Sequence, residues 1–313
     1  MNGETNRQPI RTISVIDPIS QAIDRTRDVL FHPFRIEKWL VLGFCAWLAQ
    51  LGQGGSGSSA GNSSDGHHDV RHEFHHAWDW VMDHLVPVLL IGSIVFVVVV
   101  VIWLLFLWLS SRGKFMFLDG VVNNRGAVVE PWHRYRDRAN SLFLFRFVIG
   151  LICGVFMLGL VLTMLATVWL WAEMRMAEPM LILSMIVIIL VFIGIAFIMG
   201  LVGLAIEDFL VPLMYLRDCN VGAAWRELSA LLGARPGAFI LYVLIRFIIS
   251  FVVILIAVTI CCLTCCLVML PYLGTVITLP LWVFRRSYPL YFLGQFGPDY
   301  ARFATLGSES TEG

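Results

Sequence analysis

The chain has 313 residues, of which 58% are hydrophobic and only 14% charged, with a mean hydropathy of +0.81. That is more apolar material than one soluble core can use, which excludes an ordinary globular domain and points to an integral membrane protein. The formal net charge is zero, nucleic acid is not an expected partner, and the information lies in how the charges are distributed along the chain.

In chain order, residues 1–38 are polar and too long for the positively charged start of a cleaved signal peptide, so the first apolar run is expected to be retained. Three runs are long enough for about 20 residues of helix across a roughly 30 Å hydrocarbon layer: Val86 to Leu109, Phe147 to Trp171 and Leu181 to Ile206. Trp39 to Leu51 is shorter but followed by glycines, and Ala238 to Phe284 has room for two spans joined by a tight turn. The expectation is an all-α integral membrane helical bundle of about six transmembrane helices. Eighteen of the 22 Lys and Arg residues fall in alternate inter-helix segments and at the two ends. Cytoplasmic loops retain positive charge, so both termini are expected inside a bacterial or archaeal inner membrane, with a flexible tail over residues 297–313.

A repeat emerges once the spans are laid out. "LFRFVIG" (Leu144 to Gly150) recurs as "LIRFIIS" (Leu244 to Ser250), each opening a span with Arg-Phe. Short polar helix candidates precede them at Val128 to Arg138 and Val221 to Leu232, and "DPISQAIDRTRDVLFHPF" precedes the first span similarly. The even-numbered spans are followed by "KFMFLDG", "VPLMYLRD" and "YPLYFLGQ", which share an aromatic-plus-leucine pattern. The expected organisation is one polytopic membrane domain of three units, about 17–111, 112–205 and 206–296, each a cytoplasmic interfacial amphipathic helix followed by two spans.

"FLVPLMYLRDCNVGAAWRELSALLGARPGAFILYVLIRF" resembles the membrane domain attached to some glycerophosphodiester phosphodiesterases. "AIDRTRDVLFHPFRIEKWLVLGFCAW" looks like the start of related prokaryotic membrane proteins of uncharacterised function. The resemblance implies a fold and no catalysis, because no segment outside the spans exceeds about 40 residues and the barrel-type catalytic domain has no place here.

Residues 52–85 form an outward Gly/Ser-rich and His-rich loop. Its first part, "GQGGSGSSAGNSSDG", lacks the lysine and hydroxyl of a phosphate loop and reads as a linker. Its second part, His67 to His84, carries six of the eight histidines, with His72-Glu73-Phe74-His75-His76 spelling the zinc-protease pattern H-E-x-x-H. On a helix, His68, His72, His76 and Asp79 share one face, which is suited to Zn as a possible cofactor. The competing reading is an amphipathic helix at the outer interface. A third treats the loop as a pH-responsive lid, because its net charge of minus four becomes plus two if all six histidines are protonated. "CCLTCC" (Cys261 to Cys266) sits in an apolar run, where packing competes with a disulfide or a metal.

Charges at membrane depth mark function in membrane proteins. Only Arg146 and Arg246 intrude, near cytoplasmic helix ends; Arg246 is expected to pair with Glu207 or Asp208 or to hold a lipid phosphate. Gly150 and Gly154 form G-x-x-x-G, expected to be a close helix contact. Arg134, Arg136 and Arg138 on a tryptophan-bearing helix are expected to meet anionic headgroups. The leading expectation is a non-catalytic inner-membrane protein that organises membrane lipids or protein partners at the cytoplasmic face. The alternatives are a permease for a small solute and a zinc-dependent membrane hydrolase.

Overall fold

The computed structural model describes residues 13–32, 34–51, 85–174, 178–264, 270–297 and 300. Among them the regular structure is all helical: α1 (Asp17–Phe31), α2 (Ile36–Gln50), α3 (Leu85–Val122), α4 (Val129–Arg134), α5 (Arg136–Met174) and α6 (Glu178–Ala205) come first. A π-helical turn (Ile206–Leu210) follows, then α7 (Val211–Arg217), α8 (Val221–Ala234), α9 (Pro236–Leu263), α10 (Pro271–Ile277) and α11 (Leu279–Gly294). His68, His72, His76, Asp79, the glycine-serine linker, Cys265, Cys266 and residues 301–313 lie outside the described residues.

Among the described residues four stretches are long and apolar enough to cross a membrane: Leu89–Val122, Arg136–Leu170, Ile182–Arg217 and Pro236–Leu263. Their burial is inside out relative to a soluble protein. On α3, Val86, Leu90, Ile94, Phe96, Val101 and Phe106 are exposed, whereas every residue from Ser110 to Val122 is buried, including Arg112, Lys114 and Asp119. Leu151, Val155, Leu162 and Trp169 on α5, Ile182 to Phe197 on α6 and Phe247 to Leu263 on α9 likewise present large apolar side chains outward. Contiguous apolar surface of this extent needs lipid around it, and a helix, which satisfies its own backbone, is the element that tolerates such surroundings. The chain is a membrane protein on this ground.

Of the six spans expected, four are present by this measure among the described residues. Trp39 to Leu51 falls in α2, whose 15 residues reach about 22 Å, short of the hydrocarbon layer. Leu42, Gly43, Cys45, Ala46 and Leu48 bury its face in the protein instead. Ala238 to Phe284 yields one long helix, α9, and then prolines at the starts of α10 and α11 open helices of only 7 and 16 residues. The polar helix expected over Val128 to Arg138 also divides, at Tyr135, into α4 and the beginning of α5.

The core lies where the long helices stop being uniformly apolar. One cluster gathers Phe115 and Leu118 of α3, Leu210, Val211, Leu213 and Met214 around α7, and Tyr288, Leu290, Phe292 and Leu293 of α11. Thus "KFMFLDG", "VPLMYLRD" and "YPLYFLGQ" pack into the same core. A second cluster joins Val29 and Leu30 of α1, Leu42 and Leu48 of α2, Met116 and Val121 of α3, and Leu279 and Val283 of α11. The tight helix contacts are at glycines other than the expected pair. A Cβ on Gly113 would stand 2.6 Å from the Ala49 backbone nitrogen, and one on Gly43 2.6 Å from Val276. Gly154 faces open space and Gly150 meets only the Trp103 ring, so G-x-x-x-G makes no close helix contact among the described residues.

Two polar devices lock the base. The Arg25 guanidinium donates to the Val121 and Val122 carbonyls at 3.2 and 2.7 Å, satisfying acceptors that the last turn of α3 leaves open. The buried Asp119 carboxylate accepts from Asn123, Arg125, Tyr135 and Tyr215.

Candidate functional site

Above the aromatic floor of the core lies a layer of charge, built around the π-helical turn. In that turn the Val211 N–H donates to the Ile206 carbonyl, five residues back. The next amide, which would take the Glu207 carbonyl in the same pattern, belongs to Pro212 and carries no hydrogen. The Glu207 carbonyl is therefore free for a side chain, and Arg286 Nη1 donates to it at 2.7 Å. Arg286 Nη2 also reaches the Lys114 carbonyl at 3.4 Å, so one guanidinium ties α11 to both α3 and the π turn.

The same turn sends two carboxylates to separate cations. Glu207 meets Lys114 Nζ at 2.5 Å. Asp208 accepts from Arg246 Nε at 2.6 Å, from Arg246 Nη2 at 3.2 Å and from the Tyr242 hydroxyl at 2.9 Å. The Tyr242 ring stacks on Tyr288 at 5.2 Å and packs on Phe292 at 4.6 Å, which walls the pair from below. Of the two partners expected for Arg246, Asp208 is the one it takes; Glu207 goes to Lys114.

Beside these pairs is a cavity of about 340 Å³, into which Lys114, Arg146, Arg246 and Arg285 converge with Glu207 and Asp208. Four cations stand against two carboxylates, a surplus of two positive charges. The surplus is carried by Arg146, whose contacts are long ones to the Ser110 and Ser111 hydroxyls at 3.3 and 3.4 Å, and by Arg285, which lies 5.6 Å from the Trp282 ring. Burial, and then repulsion by Arg246, push the Arg285 guanidinium below its ordinary pKa. Arg246 Nη1 is buried with no hydrogen-bond partner among the described residues, on a side chain that is 3% exposed. Gly200, Gly203 and Ser250 also line the cavity.

The other sequence-predicted residues are dispersed. Arg134 and Arg136 are exposed at the base, Arg134 at 3.9 Å from Glu130. Arg138 turns away from them to an ion pair with Asp218, a residue in the left-handed backbone region, and lies 5.1 Å from the Tyr135 ring. Three of the cations counted above in the inter-helix segments and at the ends enter the site: Lys114, Arg285 and Arg286. Lys114 opens one of the aromatic-leucine segments and Arg285 and Arg286 stand just upstream of another, and that recurrence is the signal that could have found them. Arg112, counted with them, is held between the Trp108 and Trp132 rings at 4.3 and 4.6 Å.

No group of three or more His, Cys, Asp or Glu side chains suited to a metal ion occurs among the described residues; the His68, His72, His76 and Asp79 face lies outside them. Cys262, half of the expected C-x-x-C, is exposed on the last turn of α9, and its partner Cys265 is not described.

In comparisons with known proteins, no curated protein and no solved structure matches the chain, and nothing links it to the membrane domains of glycerophosphodiester phosphodiesterases. One family does match, over residues 13–279, a range that takes in α1 to α10 and most of the charged layer. The chain belongs to that family, a family of unknown function (DUF7544).

Proposed function

We propose that the chain is a non-catalytic inner-membrane protein that organises anionic lipid at its cytoplasmic face. The observation that carries this reading is the position of the cation-rich layer. Arg112, Lys114, Arg146 and Arg246 all sit where the outward apolar surface of the long helices gives way to the packed base. Cations at that level meet headgroups, and Arg112 between two tryptophans is chemistry suited to a membrane–water boundary. In the same reading both termini are cytoplasmic, and the three aromatic-leucine segments descend from one ancestral unit. Their meeting in one core, with Arg146 and Arg246 of the two Arg-Phe segments lining one cavity, supports that descent.

The test is vesicle flotation of the full chain with phosphatidylglycerol-containing and pure phosphatidylcholine vesicles, together with cysteine labelling at Asn124 and Gly222 from each side. Preference for the anionic vesicles and labelling from the cytoplasmic side are expected. Equal flotation on both lipids would end the reading.

A permease for a small solute is the second reading, supported by the presence of a polar cavity beside the long helices. Uptake of solute into sealed proteoliposomes, abolished by filling the cavity, would move it ahead.

A further inference from the structure

Resting on the lipid-organising reading, we propose that the cavity between α3, α5, α6 and α9 is a specific site for one phosphate group, and that Arg146, Arg285 and the free nitrogen of Arg246 are its donors. Three observations converge. The cavity holds two more cations than carboxylates, and the carboxylates are already engaged by Lys114 and Arg246. Arg246 Nη1 is buried without a hydrogen-bond partner among the described residues, although the rest of its guanidinium is fixed by Asp208 at 2.6 and 3.2 Å. Gly200 and Gly203 of α6 also line the cavity, and an added Cβ on either would meet nothing within 4 Å, so backbone borders the space there.

The ligand class follows from the geometry. A buried guanidinium nitrogen without an acceptor and two cations without carboxylates call for an anion. The donors come from α5, α9 and α11, three separate elements, with the Ser250 hydroxyl on the same wall. A carboxylate is planar and is satisfied by one fork; a tetrahedral phosphate offers oxygens in several directions and matches donors converging from several helices. About 340 Å³ lies within the size range of small-ligand pockets. The phosphate can belong to a lipid headgroup or be free inorganic phosphate, and the experiment separates them.

Full-length protein in detergent is to be tested in two arms: radiolabelled inorganic phosphate, and nanodiscs of mixed phosphatidylglycerol and phosphatidylcholine followed by native mass spectrometry of the retained lipid. Two variants address the site. Arg146→Gln with Arg285→Gln removes cations that have no carboxylate within ion-pair distance among the described residues, so it strands no buried anion. Gly203→Leu keeps every charge and fills the cavity. Arg27→Gln with Arg226→Gln, both exposed, is the surface control, and size-exclusion profiles establish folding.

The expected result is saturable binding in one arm, weakened at least about tenfold by each site variant and within about twofold of wild type in the surface control. Binding in the lipid arm names a headgroup as the source; binding in the phosphate arm alone names a soluble anion. If phosphatidylglycerol is retained equally by wild type and both site variants but lost in the surface control, the cavity proposal is overturned and the lipid-organising reading stands. If wild type prefers neither probe, both are overturned.

Discussion

Arg246→Met is the substitution with the largest worked consequence for the fold. The guanidinium gives Asp208 two charge-assisted hydrogen bonds, at 2.6 and 3.2 Å, and the pair is 3% and 5% exposed. Methionine matches the length of the stem but leaves a buried carboxylate with only the Tyr242 hydroxyl at 2.9 Å. Breaking one side of a buried pair costs about 3–5 kcal/mol, chiefly through the stranded charge, whereas replacing both partners with apolar groups is often near neutral. Arg246→Met is therefore expected to destabilise by about 3–5 kcal/mol, and Asp208→Leu by a similar amount. The double variant is expected to fall short of the sum by about 2 kcal/mol or more. Tyr242→Phe should cost about 1.5 kcal/mol, the low end for a hydrogen bond to a charged group. The readout is thermal unfolding in detergent, where about 2–4 °C accompanies each kcal/mol in domains of 150–250 residues. A midpoint for Arg246→Met within about 2 °C of wild type would refute the reasoning, as would strictly additive effects in the double variant.

Pro212→Ala restores the amide hydrogen that the π turn lacks, so it should rescue part of the loss caused by Arg286→Met, which strips the Glu207 carbonyl of its donor; a cycle of the three variants showing coupling below about 0.3 kcal/mol would refute this. Gly113→Ala drives a Cβ into the backbone of α2 and is expected to cost about 1–3 kcal/mol. Gly154→Ala, in open space, should be neutral or slightly stabilising through helix propensity; equal Tm changes for the two would contradict the packing described. Metal analysis of purified protein tests the histidine face directly. The amphipathic-helix reading expects no stoichiometric zinc, and one equivalent of zinc lost in the His72→Ala plus His76→Ala variant would restore the zinc-hydrolase alternative.

The long apolar runs were legible because hydrophobicity sustained over more than 18 residues has few soluble uses. The end elements are harder to read, for a reason also present in the sequence. Trp39 to Leu51 and the first half of α11 are apolar because they bury faces in the base, through Leu42, Leu48, Leu279 and Val283, and composition does not distinguish a neighbour's side chains from lipid. The charged layer was half legible. Arg146 and Arg246 stood out because they interrupt apolar runs, whereas Lys114 and Arg285 follow the runs and were assigned to loops by the same charge count that orients the spans. The missing information was helix continuation: α3 runs on without a break to Val122, carrying Lys114 into the protein instead of into water. The π turn was beyond sequence reading, although Pro212 directly after an apolar helix marks where its carbonyls need outside donors.

Two cations without carboxylates are unfavourable in a partly dry site, and a fold retains them only where something else offsets their desolvation and mutual repulsion. This gives stability a dependence on surroundings that ordinary core charges lack. In detergent without anionic lipid, the Arg146→Gln plus Arg285→Gln variant is expected to be at least as stable as wild type, because it removes the repulsion without stranding a partner. In phosphatidylglycerol the order should reverse, since a ligand that binds only the folded state adds RT ln(1 + [L]/Kd), about 2.7 kcal/mol at a hundred times Kd, and the variant forgoes that gain. Unfolding midpoints of both proteins, measured with and without the anionic lipid, should therefore cross. If the variant is less stable than wild type by the same amount in both media, Arg146 and Arg285 are fixed by the protein alone, and the surplus charge has no need of an anion from outside.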